Sequence, residues 1–308
     1  MAQGQVTVFG GSGFLGRRIA GRLAAGGAAV RVAVRNPDAA PAPEGGAGRI
    51  VPVRADVRDE DSVTRAVEGS GAVVNAVGLY VERGEATFDA VHVLGARHVA
   101  RQSARAGIAR LVHVSGIGAE PNSESSYVRA RAAGEAAVRE AFPDATILRP
   151  SVLFGPEDAF FNTLAALARV APALPLFGGG MTRLQPVYVD DVAEAAARVL
   201  ARPSARGQTY ELGGPRVYTY KALMRLLLEE IGRKRILVPV PYGLGEVLAV
   251  LAGILPNPPL TRDQIILMKT DNVVGANVPA LADLGIEPTA VETVLPTYMA
   301  RFRPPGRP

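Results

Sequence analysis

Three glycines at fixed spacing offer the clearest chemistry in the chain: Gly10, Gly13 and Gly16 in the run Gly10-Gly11-Ser12-Gly13-Phe14-Leu15-Gly16. The run follows an apolar stretch, residues 5–9, and opens an Arg/Ala-rich one. Glycine permits a tight turn, and its missing side chain lets backbone N–H groups approach an anion. The positive end of a following helix then stabilises that anion. In a strand–turn–helix context this spacing predicts a pyrophosphate cradle built by residues 10–16, with an ordinary glycine-rich β–α turn as the bland alternative.

A pyrophosphate cradle implies a dinucleotide, and the end of the second strand sets which one. The stretch Val30-Arg31-Val32-Ala33-Val34-Arg35 carries Arg35 where an acidic residue would accept the adenosine ribose hydroxyls. A planar guanidinium pairs instead with a 2′-phosphate. NADPH is therefore the expected cofactor over NADH; a solvated Arg35 would admit either. Asp56 and Val57, after the third strand, are placed to meet the adenine end. Asn75-Ala76-Val77-Gly78, after the fourth, brings small residues beside the cofactor, with Ala76, Val77 and Gly78 in contact.

These residues need a scaffold, and the first 150 residues supply one. Apolar, β-branched runs at 5–9, 29–34, 50–54, 72–76, 110–115 and 145–149 alternate with helical patterns at 14–25, 61–68, 87–106 and 126–141. Continuous apolar strands suit a parallel sheet covered on both faces. Strict alternation predicts the α/β class: a doubly wound parallel sheet, the Rossmann fold. The Pro/Gly-rich segment 37–49 reads as a surface loop. Beyond 150 a strand is expected over 184–189, a helix over 190–201 and a sheet-closing strand over 209–212. The expected division is a dinucleotide-binding domain, 1–150, rejoined by 184–213, and a smaller, mostly helical lobe of 151–183 and 214–308. That lobe carries three expected helices and a frayed basic tail, 301–308.

Composition narrows the functional classes. Hydrophobic residues make up 48% of the 308 and charged residues 20%, as in well-buried globular proteins rather than disordered ones. No cysteine occurs, which removes disulfides, thiolate nucleophiles and Cys-based metal sites. His92, His98 and His113 form no ligand-like cluster, so no metal is expected. The charge is +5, yet only Lys221, Lys234 and Lys269 of the 34 basic residues are lysine, and no Lys/Arg-rich run points to nucleic acid. The first strand begins almost at once, so neither signal nor transit segment is expected. The longest apolar run, 247–255, falls short of the ~20 residues a membrane span needs.

Beyond the glycine loop, VFGGSGFLGRRIA (8–20), further segments carry a family resemblance: HVSGIGA (113–119), YVRARAAGEAAVR (127–139), ILRPSVLFGPED (147–158), LQPVYVDDVAEAA (184–196), TYELGGP (209–215) and TRDQIILMKTDNVV (261–274). Over nearly its whole length the chain resembles the extended and atypical short-chain dehydrogenase/reductases. Within them it is similar to the branch holding the nucleotide-binding alpha-subcomplex accessory subunit of respiratory complex I, the NADH:ubiquinone oxidoreductase, and its bacterial relatives. The resemblance implies a Rossmann core, bound NADPH, complex I subunits as partners and a peripheral position at the inner or plasma membrane; the protein is expected in the cytoplasm, on the cytoplasmic face of the inner membrane.

The resemblance also implies where catalysis would sit. Active members carry a Tyr and, one helical turn later, a Lys, with a Ser or Thr at the end of the fifth strand. The cation lowers the tyrosine pKa so that it can act as acid or base. Here Tyr127 is present, Arg131 stands at the lysine position and Ser115 lies at the strand end. Ser115 holds the structural first position, and Gly116 or Ile117 stands where the catalytic hydroxyl would be. In one reading Arg131 substitutes electrostatically, Ser115 or a water supplies the hydrogen bond, and the protein reduces a small carbonyl or quinone. In the other, Tyr127 and Arg131 grip the nicotinamide ribose without efficient hydride chemistry, because Arg poorly replaces a compact cation. This second reading gives an accessory or assembly subunit; a third possibility is a sensor of the NADPH/NADP⁺ ratio acting on a protein partner.

The remaining candidates carry competing readings. Pro150, with Arg149, follows the sixth strand and lines the nicotinamide end; Arg149 could equally form an ion pair with Asp190 or Asp191. His92 and His113 read as packed, satisfied side chains. Asp190 and Asp191 read as N-terminal helix carboxylates. The helix expected over 243–255 is apolar nearly all round, and burial within the lobe is the expectation, with a partner or lipid surface as the alternative.

Overall fold

The computed structural model describes residues 4–39, 50–252 and 261–304. In chain order the elements begin β1 (Gln5–Phe9), α1 (Phe14–Ala25), β2 (Ala29–Val34), β3 (Ile50–Arg54), α2 (Glu60–Val67) and β4 (Ala72–Asn75). A π-helical segment, Asp89–Leu94, runs into α3 (Gly95–Arg105), followed by β5 (Arg110–Val114), α4 (Ser126–Ala141) and β6 (Thr146–Pro150). Next come β7 (Leu153–Phe154), α5 (Ala159–Val170), β8 (Ala173–Phe177), β9 (Arg183–Leu184), β10 (Val187–Tyr188), α6 (Val189–Ala201) and β11 (Thr209–Leu212). The last are β12 (Tyr218–Thr219), α7 (Tyr220–Glu230), β13 (Ile236–Val240), α8 (Tyr242–Ala252), α9 (Arg262–Leu267) and α10 (Val291–Met299). They divide into two compact units: Met1–Pro150 with Val189–Leu212 and Gly275–Glu287, and Ser151–Tyr188 with Gly213–Val274 and Pro288–Pro308.

The first unit is built on a seven-stranded sheet in the order β11-β6-β5-β4-β1-β2-β3. Every pair in it is parallel, from β11–β6 to β2–β3. Val-rich strands with both faces covered explain the absence of polar alternation: β4 is buried at all four positions. The winding reverses between β1 and β4, and at such a point the carboxyl ends of the strands frame a crevice. Phe9, Val73, Leu111 and Ile147 pack in the core beneath it. The fold is the doubly wound Rossmann arrangement.

Three expectations change here. The strand expected over 184–189 is broken into the two-residue β9 and β10. The helix expected over 87–106 begins as the π-helical segment, and hydrophobic spacing does not distinguish that widened turn from α. Segment 275–287, grouped by sequence with the small lobe, belongs to the first unit. The Glu211 N–H donates to the Pro279 carbonyl at 2.8 Å, and the Gly275 N–H donates to the Glu211 carboxylate at 2.9 Å.

In the second unit Phe154, Phe161, Leu174, Leu223, Leu227 and Leu295 form one buried cluster. Four α-helices, not three, are described beyond residue 217. Helix α8 overturns the burial expected for it: Leu244, Val247, Leu248, Val250 and Leu251 are exposed, Val250 at 61%. The helix seats itself through its small residues instead. Ala249 is buried, and a Cβ on Gly245 would fall 2.8 Å from the Phe177 ring. Residues 253–255 of that expected helix lie outside the described residues, as do 40–49 of the expected loop; Pro37–Ala39 forms a single 3₁₀ turn. The tail is not frayed where it is described. Phe302 is buried, and Arg303 pairs with Glu230 at 2.7 Å; 305–308 lie outside the described residues. Among the described residues no helix is long and apolar enough to cross a membrane.

Candidate functional site

The glycine run forms the turn from β1 into α1. Gly10 takes a φ of 73°, and a Cβ there would fall 2.7 Å from the Ala76 carbonyl oxygen. A Cβ on Gly16 would fall 2.7 Å from the Gly10 carbonyl carbon. Only glycine fits either position, and Gly13 N–H closes the turn by donating to the Gly10 carbonyl at 2.9 Å. Gly13 is the N-cap of α1; no side chain caps this end and no acidic residue lies in its first turn. The first N–H groups of α1 are thus left for an external anion. Ser12 and Gly13 are exposed at the mouth, Phe14 is half-buried, and Leu15 and Gly16 are buried, so Leu15 can contribute only backbone.

The neighbouring strand ends complete the crevice. Arg35 is exposed just beyond β2, the strand paired with β1. Asp56 follows β3, and its carboxyl is held below the ordinary range chiefly by hydrogen bonds from Arg58, at 2.7 and 3.0 Å, with Arg35 adding a weaker pull. That carboxylate, expected at the adenine end, already has a cation on it. Val57 is buried and its carbonyl lies 2.9 Å from His98 Nδ1. Ala76 N–H donates to the Phe9 carbonyl at 3.0 Å, and Val77 N–H to the Asn75 side chain at 3.2 Å, which fixes 76–78 beside Gly10.

Tyr127 and Arg131 share one face of α4, whose start is capped by the Ser125 hydroxyl accepting from Val128 N–H at 3.3 Å. Arg131 Nη1 donates to the Tyr127 hydroxyl at 2.7 Å, with the guanidinium carbon 5.2 Å from the ring centroid. Burial raises the Tyr127 pKa well above its ordinary value, and the opposing pull of Arg131 does not offset it. Three further rings surround the phenol: Phe88 and His92 edge-on at 5.5 Å, and Tyr80, largely exposed, tilted at 5.6 Å. His92 is brought there by the π-helical segment, pressed so close to α4 that a Cβ on Gly134 would fall 3.1 Å from the His92 carbonyl carbon. Burial lowers His92 to about 4, so the ring is neutral, and its Nε2–H donates to the Leu79 carbonyl at 2.9 Å. Sequence reasoning placed His92 as a satisfied packing residue but missed that Phe88 and His92 pack on Tyr127; their i, i+4 spacing was the available signal.

At the end of β5, Ser115 and Gly116 are buried. The Ser115 hydroxyl makes no hydrogen bond of good geometry, yet it lies near enough to Glu135 to help keep that carboxylate charged. Ile117 N–H donates to the Pro150 carbonyl at 3.1 Å, so Pro150 joins β6 to this turn. Arg149 pairs with neither Asp190 nor Asp191. Its Nε and Nη2 donate to Glu135 at 2.9 and 2.8 Å, and Nη1 reaches Glu211 at 3.5 Å. Register supplies the second of these partners: Glu211 on β11 stands directly beside Arg149 on β6. Burial pushes Glu135 up, and the Arg149 bonds, the Ser115 hydroxyl and the Arg149 charge together more than reverse it, leaving Glu135 below the usual range. Asp190 and Asp191 sit in the first turn of α6, with Asp190 3.7 Å from Arg18. His113, fully buried, lies 3.2 Å from the Asn75 amide and is lowered to about 4 by burial. Among the described residues no group of three or more His, Asp or Glu could hold a metal ion.

Comparison with known proteins agrees with this architecture. Residues 6–213 match the sequence pattern of the NAD dependent epimerase/dehydratase family. The chain is 35% identical over 314 residues to NADH dehydrogenase (ubiquinone) 1 alpha subcomplex subunit 9, mitochondrial, of Arabidopsis thaliana, covering 97% of this chain and 78% of that protein. It is 34% identical over 244 residues to the ceramide reductase of Caulobacter vibrioides, covering 78% of this chain and 74% of that protein. In fold it is similar to the triphenylmethane reductase of Citrobacter sp., solved in complex with NADP(H): TM-score 0.75, 20% identity, 95% of this chain and 99% of that one. The chain belongs to the NAD dependent epimerase/dehydratase family of extended short-chain dehydrogenase/reductases, among relatives that include accessory subunits of respiratory complex I.

Proposed function

We propose that this protein holds NADPH, in preference to NADH, as an accessory or assembly subunit of a respiratory NADH:quinone oxidoreductase, with weak or lost catalysis. The glycine cradle fits a pyrophosphate because a Cβ on Gly10 or Gly16 would close it. Backbone from Gly10 to Gly16 would hold the phosphates, and Arg35 the 2′-phosphate. Asp56 and Val57 would border the adenine. Ala76, Val77, Gly78 and Pro150 would line the path to the nicotinamide, and Tyr127 with Arg131 would hold its ribose. The dinucleotide, once bound, supplies a hydride; the residues around it do not complete the machinery to use it. The observation carrying this reading is the pairing of an intact cradle with a guanidinium, not a compact ammonium, on the Tyr127 hydroxyl. The relative from a mitochondrial complex supports the accessory role. The exposed apolar face of α8 supports contact with a protein partner or the cytoplasmic face of the inner membrane. Ligand held only by the folded state adds stability by mass action.

Purification from native membranes tests the role: the protein should co-migrate with respiratory subunits and retain NADPH, and isolation alone and empty overturns it. Calorimetry on stripped protein tests the cofactor. Arg35→Ala should weaken NADPH about 10–100-fold and leave NADH nearly unchanged, as expected for losing a charge-assisted pair; equal affinity for both dinucleotides before substitution refutes the preference. The ceramide reductase relative favours a second reading, reduction of a small carbonyl or quinone through Tyr127. Steady NADPH oxidation with such substrates, abolished in Tyr127→Phe, would replace the accessory reading.

A further inference from the structure

Gly116 is a glycine without a backbone reason. It is absent from the positive-φ glycines of the described chain, so any L-residue could adopt its conformation. What it lacks is room. A Cβ built there would lie inside the Arg131 guanidinium, 2.7 Å from Cζ and 2.8 Å from Nη2. The same guanidinium donates through Nη1 to the Tyr127 hydroxyl at 2.7 Å, and its Nε is buried without a hydrogen-bond partner. The guanidinium stands in the space that a side chain at 116 would enter, with one donor left unsatisfied.

We propose that Gly116 and Arg131 are one coupled pair: the missing side chain at 116 admits the guanidinium against Tyr127, and the guanidinium fills the point at which a substrate oxygen would be polarised. A carbonyl oxygen reduced at this site must accept a hydrogen bond from the Tyr127 hydroxyl and from a hydroxyl on the neighbouring strand end, so it must sit within about 3 Å of both. Arg131 Nη1 lies 2.7 Å from the Tyr127 hydroxyl and in the space that a side chain at 116 would enter. Gly116 is therefore a positioning residue that acts through Arg131, and the pair turns a site for reduction into one for retention. This deepens the accessory reading and rests on it only for the dinucleotide.

A four-protein cycle tests the pair: wild type, Gly116→Ser, Arg131→Lys, and the double variant, each measured for Tm without ligand and for NADPH binding by calorimetry. Gly116→Ser alone should lower Tm by about 3–8 °C, because the guanidinium must give up its bond to Tyr127, and weaken NADPH at least tenfold by displacing the guanidinium. Adding Arg131→Lys, a slimmer cation, should recover most of both losses, so the double lies within about 2 °C of Arg131→Lys alone. A Gly116→Ser penalty of the same size in both backgrounds overturns the pair, as does no penalty in either. Should Gly116→Ser not fold, a folded double variant supports the pair and an unfolded one refutes it. Loss of NADPH binding in the wild type would sink the proposed function, while the ligand-free Tm cycle would still decide the coupling.

Discussion

Acidification should destabilise the first unit through two histidines before its carboxylates protonate. His92 and His113 are both buried, and burial lowers each from 6.5 to about 4. Arg131 faces both and reinforces the shift; Arg139 and His92 add to it at His113, while Glu135 opposes it there. The unfolded chain therefore binds protons below pH 6.5 that the folded chain refuses until about pH 4, so stability falls as pH falls through that window. Between pH 7 and pH 5 each histidine withdraws about 2 kcal/mol, about 4 kcal/mol together. Against a typical total of about 5–15 kcal/mol that is a large loss. Glu135 is held below its usual range, and Asp158, in the second unit, is raised by burial, so the two contribute with opposite signs as pH falls. Urea unfolding at both pH values, on wild type and on a His92→Gln, His113→Gln double variant, isolates the histidines. A wild-type loss under about 1 kcal/mol, or an undiminished loss in the double variant, refutes the reasoning.

Two further outcomes follow from the same unit. Glu135→Gln removes the carboxylate that receives both Arg149 donors and leaves that cation with Glu211 at 3.5 Å. Breaking a buried pair costs about 3–5 kcal/mol, and the remaining partner with partial exposure reduces this to about 2–3 kcal/mol at pH 7; a change under 0.5 by denaturant titration, well below that ~2 kcal/mol, contradicts the network. Gly16→Ala puts a methyl against the Gly10 backbone, so Tm and NADPH affinity should fall together, and native values of both would show that the turn is not the cradle described.

The sheet and its phosphate turn were legible because local chemistry fixes them. Valine runs bounded by glycine leave few alternatives to buried strands, and glycines at 13 and 16 answer contacts within one turn. The Tyr127–Arg131 bond was legible for the same reason, since four residues make one helical turn. Arg149 was not, because its partners, Glu135 on α4 and Glu211 on β11, are brought to it by how those elements pack beside β6, which no local pattern encodes. Nor was α8: its sequence shows how much apolar surface the helix has, not that Gly245 and Ala249 would be the side chosen for packing. Gly116 escaped because an unstrained glycine carries no signal until the side chain filling its space, fifteen positions on, is known.

At Tyr127 two effects oppose each other, and their order decides what chemistry is left. Desolvation favours the neutral phenol; the Arg131 guanidinium favours the phenolate. Desolvation wins, so the phenol keeps its proton at neutral pH. The hydroxyl accepts from Arg131, and its own hydrogen is shared with the Tyr80 hydroxyl. A phenol held protonated serves as an acid before it serves as a base, so any alcohol-dependent reduction of NADP⁺ should keep rising with pH well past neutrality. A rate that has already levelled off at pH 8 would show that the cation governs this phenol after all.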